Sequence, residues 1–371
     1  MFIRVHPWPK YRVQSFSAQG RPGFPASRNV PFTIRTPVSM DPLTHTATGL
    51  LLGRAGMNRW TPAAGAILAL AANAPDIDIV TATGGSLNYL HYHRHLTHSL
   101  VAAPFLAILT VALVRAVRRK PLRWAGAFAA SLAAVGSHLL LDWTNLYGIR
   151  LLLPFSSSWL RLDLTPVIDI WIWSALFVAF AGPFLARLVT AEITSGKPGK
   201  RRSGAGFAWL ALSFVLAYNA GRAVLHERAL AVLNARLYSG AAPARVAAFP
   251  LQNPLAWRGL VETTNSYAVE SVDLTGSEFN PAQGEIFLKP QLDPAIDAAR
   301  RTATFQIFLQ FSQFPLWHLA PAAAPEGGRD VEVFDLRFGT PAEPGFQVNA
   351  RVDQHGMVSG AEFQFGRPRA R

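Results

Sequence analysis

Long apolar runs recur through the first two thirds of the chain. Four of them, at about 98–117, 122–142, 166–190 and 207–225, contain few charged residues. Each is long enough for a membrane helix, which needs roughly 20 apolar residues to cross about 30 Å of hydrocarbon. The pattern therefore predicts four spanning helices.

Two shorter apolar segments precede these four. In "MDPLTHTATGLLLG" (40–53), Asp41 can cap a helix that has Pro42 at its first position. "TPAAGAILALAANAP" (61–75) begins in the same way, with Thr61 as the expected cap. Both are short for spanning, so we expect a helix pair that either spans or re-enters the membrane, buried among the other helices.

The pattern changes at about residue 240. Apolar and polar residues then alternate between Gly, Pro and Asn turns, which is typical of a half-buried antiparallel sheet. The alternating segments are "SYAVESVDL" (266–274), "EIFLKP" (285–290), "TFQIFLQF" (304–311), "VEVFDLRF" (331–338) and "FQVNARVD" (346–353). The fold class predicted is an α-helical membrane domain over 40–230, followed by a small β-rich soluble domain over 240–371.

The first 39 residues show no periodicity and are rich in Pro, Ser and Arg. This composition predicts a disordered or targeting arm. A second interpretation is that Met40 is the true start and that the upstream stretch is mis-assigned.

Composition and charge also favour a membrane protein. Apolar residues make up 50% of the chain and charged residues 15%, whereas soluble domains carry roughly 25% charged residues. The net charge of +13 comes from short basic runs between apolar segments, such as "RAVRRKPLR" (115–123) and "GKPGKRRSG" (196–204). These loops are expected on the cytoplasmic face. No stripe of basic residues is interleaved with aromatics, so nucleic acid is not an expected partner.

This topology brings polar residues to one membrane face. With the basic loops cytoplasmic, the opposite helix ends carry His91–His98, "SHLLLD" (137–142) and "RLDLTPVID" (161–169). The open ends of the short helix pair carry His45 and "PDID" (75–78) on the same side. We therefore expect one cluster of histidines and acids, together with the C-terminal domain, on the periplasmic side.

The cluster has the chemistry of a metal site. His138 and Asp142 are spaced i, i+4 and share a helix face. Imidazole and carboxylate ligands suit Zn²⁺, Mn²⁺ or Fe²⁺, and the absence of cysteine excludes thiolate ligands. The predicted metal ligands are His45, Asp76, Asp78, His93, His98, His138 and Asp142.

Three further residues are candidates for catalysis. Arg94 would suit an anionic oxygen, and Asp163 or Asp169 could orient a ligand histidine or act as a base. Simpler interpretations stay open: Asp169 is also favoured by the helix dipole, and His91 and His95 fit a solvated loop.

The ordered motifs "DPLTH" (41–45), "LAANAPDID" (70–78), "HRHLTHS" (93–99) and "SHLLLDWTNLYGIRLLLPF" (137–155) resemble the YdjM-like family. Its members are bacterial inner-membrane proteins described as metal-dependent hydrolases. The resemblance covers about 41–190, and "NPLAWRGLVET" (253–263) and the β-rich tail look like the longer members. The resemblance implies that the family's polar residues correspond to the seven predicted metal ligands, with Asp163 and Asp169 as later acidic positions. One departure is His95, where family members commonly have a small residue.

The leading hypothesis is a multi-pass inner-membrane metallohydrolase with its site at the periplasmic rim. Water would attack an ester or phosphoester, and the expected partners are the lipid bilayer and an amphiphilic substrate such as a lipid or envelope precursor. Two alternatives remain: a non-catalytic membrane protein with a closed structural metal site, and a transporter. The transporter would need polar residues near mid-membrane, whereas these gather at helix ends.

Overall fold

The computed structural model describes residues 41–193, 204–276, 279–322 and 327–366. The arm at 1–39, Met40 and most of the basic loop at 196–204 lie outside the described residues. The described residues form two compact units: one holds 41–226 together with 250–254, and the other holds 227–249 together with the described residues from 255 onward.

The first unit is helical. Three 3-10 helices among its described residues, Met57–Arg59, Pro75–Gly84 and Leu96–His98, follow the first, second and third α-helices. The α-helices are α1 (Pro42–Ala55), α2 (Ala64–Ala71), α3 (Ser86–Tyr92), α4 (Ala102–Arg118), α5 (Trp124–Thr144), α6 (Ile170–Ile193) and the first part of α7 (Ala205–Asn234).

Two described helices, α5 and α7, are long and apolar enough to cross a membrane. Two bent pairs can each provide another span or a re-entrant loop: α2 with Pro75–Gly84, bent by 47°, and Ser86–His98 with α4, bent by 86°. The described part of the chain thus supports two to four candidate spans. The predicted number of four is not confirmed, because α4 has only 17 residues and the described apolar part of α6 is the short stretch Ile170–Ala186.

The two short helices begin differently from one another. Asp41 caps α1 as predicted, since its side chain accepts a hydrogen bond from Thr44 N. The expected cap of α2 is wrong: α2 begins at Ala64, after Ala63 in a left-handed conformation. Thr61 Oγ1 instead accepts a hydrogen bond of 3.1 Å from the backbone N–H of Arg123, at the start of α5.

Small residues allow α1, α2 and α5 to pack closely. A Cβ atom on Gly49 of α1 would lie 2.6 Å from the Leu68 carbonyl oxygen of α2. Ala71, Ala72 and Ala134 continue the contact between α2 and α5 in one buried cluster. Close backbone approach through small side chains is typical of membrane helices. It brings together the helix ends that carry the histidines and acids.

The second unit contains two four-stranded sheets, with strand orders β1-β2-β3-β4 and β5-β6-β7-β8. Every strand pair with a described register is antiparallel. The strands are β1 (Arg245–Pro250), β2 (Ala256–Glu262), β3 (Ser266–Asp273), β4 (Glu285–Leu288), β5 (Pro315–Pro321), β6 (Arg329–Asp335), β7 (Phe346–Val352) and β8 (Val358–Phe365). Helices α8 (Pro294–Arg300) and α9 (Ala303–Phe311) lie between β4 and β5 in the chain.

Most of the alternating segments form strands, but one does not. The stretch 304–311, predicted as a strand, lies in helix α9. Its buried residues Phe305, Phe308 and Phe311 are spaced by three, which places them on one face of a helix. The segment 331–338 is a strand only to Asp335 and then turns into the 3-10 helix Leu336–Phe338.

Candidate metal centre

Four buried donor atoms converge in the first unit. His98 Nε2 lies 3.2 Å from His138 Nε2 and 3.4 Å from both Asp76 Oδ1 and Asp142 Oδ2. His138 Nε2 lies 3.6 Å from Asp76 Oδ1 and 3.4 Å from Asp142 Oδ2. All four residues are buried and offer ligand atoms within 4.8 Å of one another. We call them the four-ligand cluster.

The spacing of these atoms fits a transition-metal ion. Nitrogen and oxygen ligands bound tetrahedrally at about 2.0–2.1 Å lie roughly 3.3 Å from one another. The separations between donor atoms in the four-ligand cluster given above are 3.2–3.6 Å. In addition, Asp76 Oδ2 and Asp142 Oδ2 are buried without a hydrogen-bond partner among the described residues. Buried carboxylates are costly unless a cation or donors compensate them.

Both histidines present a bare ring nitrogen to the cluster. His138 Nδ1 lies 2.7 Å from the Ala72 carbonyl oxygen, so it must donate, which leaves the lone pair on Nε2. His98 Nδ1 lies 3.1 Å from Thr97 Oγ1 and 3.3 Å from Asp78 Oδ2. Because Thr97 Oγ1 donates to Asp78 Oδ2, His98 Nδ1 is placed to donate and its Nε2 faces the cluster. A carboxylate or carbonyl behind each ring is the usual support of a metal-binding histidine.

Asp78 and His93, both predicted as ligands, lie behind His98. Asp78 Oδ2 accepts hydrogen bonds from the backbone N–H of Arg94 at 2.8 Å and from Thr97 Oγ1 at 3.1 Å. Its Oδ1 lies 3.1 Å from His93 Nδ1. Asp76, Asp78 and His93 also offer atoms within 4.8 Å of one another. Because its oxygens are so engaged, Asp78 is best placed to orient the two histidines.

His45 lies beside the four-ligand cluster. Its ring stacks on that of His138 with centroids 3.8 Å apart. Its Nε2 is 3.6 Å from Asp142 Oδ1, the carboxylate oxygen that faces away from His98 and His138. His45 Nδ1 is buried and has no hydrogen-bond partner among the described residues.

Arg94 holds Asp142 in place. Its guanidinium donates to Asp142 Oδ1 at 2.9 Å and to Asn145 Oδ1 at 3.1 Å. The backbone of Arg94 is left-handed, with φ of 56°, a conformation that is uncommon outside glycine. Sequence reasoning proposed Arg94 for a substrate anion and missed Asn145, although Asn145 lies only three residues after Asp142.

The two later acids are not members of the cluster. Asp169 caps α6: its Oδ1 accepts from the N–H groups of Trp171 and Ile172 at 2.9 and 3.1 Å. Its Oδ2 accepts from the Tyr218 hydroxyl at 3.0 Å. Asp163 pairs with Arg161.

A narrow cleft reaches the edge of the cluster. It has a volume of about 30 Å³, which is room for roughly two water molecules. Its polar lining includes Thr44, His45, Arg94, Asp142, Asn145, Thr165 and Asp169. The cleft therefore has room for water in contact with His45 and Asp142.

The helical unit is similar to known proteins. The sequence profile of the YdjM inner membrane protein family matches residues 40–229. The uncharacterized protein YfhP of Bacillus subtilis (strain 168) is 30% identical over 152 residues, which span 38% of this chain and 46% of that protein. The chain thus covers about half the length of this relative. No solved structure matches. The profile match includes the whole four-ligand cluster and slightly more than half of the chain, and the chain belongs to the YdjM inner membrane protein family.

Proposed function

We propose that the protein is a metal-dependent hydrolase of the inner membrane. Asp76, His98, His138 and Asp142 would hold one divalent ion. The observation that carries this proposal is the convergence of four buried donor atoms at 3.2–3.6 Å. When bound, such an ion would lower the pKa of a water molecule and polarise an ester or phosphoryl oxygen.

The protein residues around the ion would have distinct roles. Ala72 and Asp78 keep the two ligand histidines in the required tautomer. Arg94 fixes Asp142 through its guanidinium. His45 lines the cleft and has an unpartnered ring nitrogen, so it is the best-placed group to take a proton from water. Asp169 lines the same cleft, but its oxygens are engaged in capping α6.

The second candidate is a structural metal site. Four protein ligands complete a tetrahedral shell, which is typical of structural zinc, whereas catalytic zinc usually has three protein ligands and an open position. Hydrolysis at this cluster therefore requires an ion that accepts a fifth ligand, which favours Mn²⁺ or Fe²⁺ over four-coordinate Zn²⁺.

We further propose that the cluster faces the periplasm at the membrane rim. The basic run at 115–123 ends α4 and precedes α5, and His138 and Asp142 lie at the opposite end of α5. By the positive-inside rule that opposite end is periplasmic. A site at this level would act on an amphiphilic substrate, such as a lipid or an envelope precursor. Polar groups at helix ends do not support the transporter alternative.

The test uses the full chain purified in detergent, stripped with a chelator and reloaded with Zn²⁺, Mn²⁺ or Fe²⁺ separately. Metal content and turnover on an ester and phosphoester panel are measured together. We expect turnover with at least one ion, and a loss of roughly 10²- to 10⁴-fold in His45→Ala with unchanged metal content. Stoichiometric metal without turnover on any substrate, together with unfolding on chelation, would instead establish the structural role.

A further inference from the structure

A second cluster of basic side chains lies next to the metal centre. Its central residue, Arg150, follows α5 in a loop closed by reciprocal hydrogen bonds between Ile149 and Leu160 at 2.9 and 2.8 Å. The backbone N–H of Arg150 donates to the Arg94 carbonyl oxygen at 3.3 Å. The backbone of Arg150 is therefore hydrogen-bonded to Arg94, whose guanidinium donates to Asp142.

The Arg150 side chain is buried and has no counter-ion among the residues that the structure describes. It is 5% exposed, and its guanidinium lies over the Trp159 ring at 5.0 Å from the centroid. Its Nε has no hydrogen-bond partner, and no carboxylate lies within ion-pair distance, among the described residues. Burial lowers the pKa of Arg150. An unpaired buried cation is costly unless a ligand supplies the missing charge.

Two histidines lie close in the chain to Arg94, the residue to which the Arg150 backbone is hydrogen-bonded. His91 and His95 each lie close enough to Arg150 to interact electrostatically with it. Their rings are 6.1 Å apart, both are partly exposed, and His91 Nδ1 has no partner among the described residues. The nearby carboxylate of Asp78 is already engaged by His93 and by the Arg94 backbone. The cluster thus combines a buried guanidinium with two partly exposed imidazoles.

We propose that Arg150, His91 and His95 form a phosphate-binding subsite beside the metal centre. A guanidinium fork binds two phosphate oxygens at once, and imidazole N–H groups can donate to a third. The assignment of this phosphate to the substrate rests on the proposed function and would make the substrate a phosphoester. Binding of the anion itself does not depend on catalysis.

The test measures anion binding by the full metal-containing chain in neutral detergent micelles. One arm titrates inorganic phosphate, a second adds phosphatidic acid to the micelles, and a third adds phosphatidylcholine as a comparison of equal lipid content. The variant is Arg150→Gln. The matched control is Arg59→Gln, an exposed arginine in the 3-10 helix Met57–Arg59. Metal content is determined for each protein.

We expect Arg150→Gln to weaken binding of inorganic phosphate or phosphatidic acid by about tenfold or more. Arg59→Gln should bind within about twofold of the wild type, and all metal contents should be equal. Tighter binding of phosphatidic acid identifies a lipid headgroup as the source, whereas tighter binding of inorganic phosphate identifies a soluble one; either supports the subsite.

Wild-type protein that binds neither anion, or equal binding by wild type and Arg150→Gln, would overturn the subsite. If Arg150→Gln does not fold, the double variant His91→Asn, His95→Asn replaces it, because both side chains are partly exposed, and the same loss is expected. Lost anion binding with full metal content leaves the metal assignment intact, so the two proposals fail separately.

Discussion

In the four-ligand cluster, His98 and His138 each have an acceptor next to Nδ1. A proton held on Nδ1 leaves Nε2 free to bind a cation. For His138 the acceptor is the Ala72 carbonyl, and for His98 the acceptors within reach are the Thr97 hydroxyl and the Asp78 carboxylate. Their Nε2 atoms face each other at 3.2 Å, and with both Nδ1 atoms donating, both Nε2 lone pairs would point inward. Two lone pairs facing each other would repel, and a cation placed between them and the two carboxylates would stabilise that arrangement.

Asp78→Asn should weaken metal binding without abolishing it. The substitution removes the charge behind His98 while all members of the four-ligand cluster remain, and loss of such an outer partner typically costs 10- to 100-fold in affinity. A competition titration against a chelator measures the change. Asp297→Asn, at an exposed aspartate of α8, is the matched control. Equal affinity in both variants would show that Asp78 does not orient a ligand.

The sequence predicted the members of the cluster better than their roles. The i, i+4 spacing of His138 and Asp142 identified a shared helix face, and both residues lie in the cluster. The Ala72 carbonyl carries no sequence signal, because its contact with His138 depends on how α2 packs against α5. Arg94 reaches Asp142 from a left-handed backbone conformation, which a side-chain pattern does not reveal.

Glu270 in β3 makes the stability of the second unit depend on pH. Burial raises the pKa of this carboxyl from 4.5 to about 8, and its Oε1 has no partner among the described residues. Between these two pH values the carboxyl is ionised in the unfolded chain but still protonated in the folded one. The free energy of unfolding therefore falls as pH rises from about 4.5 to about 8.

Glu270→Gln should therefore stabilise the protein above pH 8, on the order of 2 kcal/mol, and have little effect below pH 4.5. Thermal melting of the full chain in detergent across this pH range measures the difference. The exposed Glu285→Gln in β4 is the control. If Glu270→Gln destabilises the protein equally at every pH, then Glu270 is not held in its protonated form.

At the scale of elements, the contact of α1 with α2 positions a residue of the four-ligand cluster. Gly49 has no room for a side chain, since an added Cβ would also lie 2.9 Å from Ala72 Cβ. Ala72 in turn supplies the carbonyl that fixes His138. The distance between α1 and α2 therefore affects the position of His138 on α5.

Gly49→Ala should destabilise the protein by about 1–3 kcal/mol through overpacking and weaken metal binding. Gly136→Ala is the matched control: it lies in α5 with no neighbour within 4 Å of an added Cβ, and alanine should be neutral or stabilising there. Melting temperature and metal affinity are measured for both. Tighter or unchanged metal binding in Gly49→Ala would contradict this dependence.

The helices and strands were predictable where one period dominated. Helix α5 and strands β3 and β7 follow clear patterns and lie close to their predicted bounds. The stretch 304–311 was assigned to the wrong class because its apolar residues satisfy both a strand and a helix pattern. Burial at Phe305, Phe308 and Phe311 is a tertiary outcome that the sequence alone does not fix.

At the scale of the whole molecule, the chain has no cysteine, so single introduced cysteines report topology directly. Lys120, after α4, and Met357, in the second unit, are both exposed. If the basic run at 115–123 is cytoplasmic and the second unit periplasmic, Met357→Cys should react with a membrane-impermeant maleimide in spheroplasts. Lys120→Cys should react only after permeabilisation, and the reverse pattern would invert the proposed orientation.

The proposed hydrolase requires a cation held by the four-ligand cluster. Its most direct test is the metal content per chain of the full-length protein, purified in detergent without added metal, for wild type, His138→Ala and His95→Ala. His95 lies outside the cluster and controls for loss of any histidine. We predict about one transition-metal ion per chain in wild type and His95→Ala, and almost none in folded His138→Ala. Equal metal content in all three, or none in the wild type, would contradict the account.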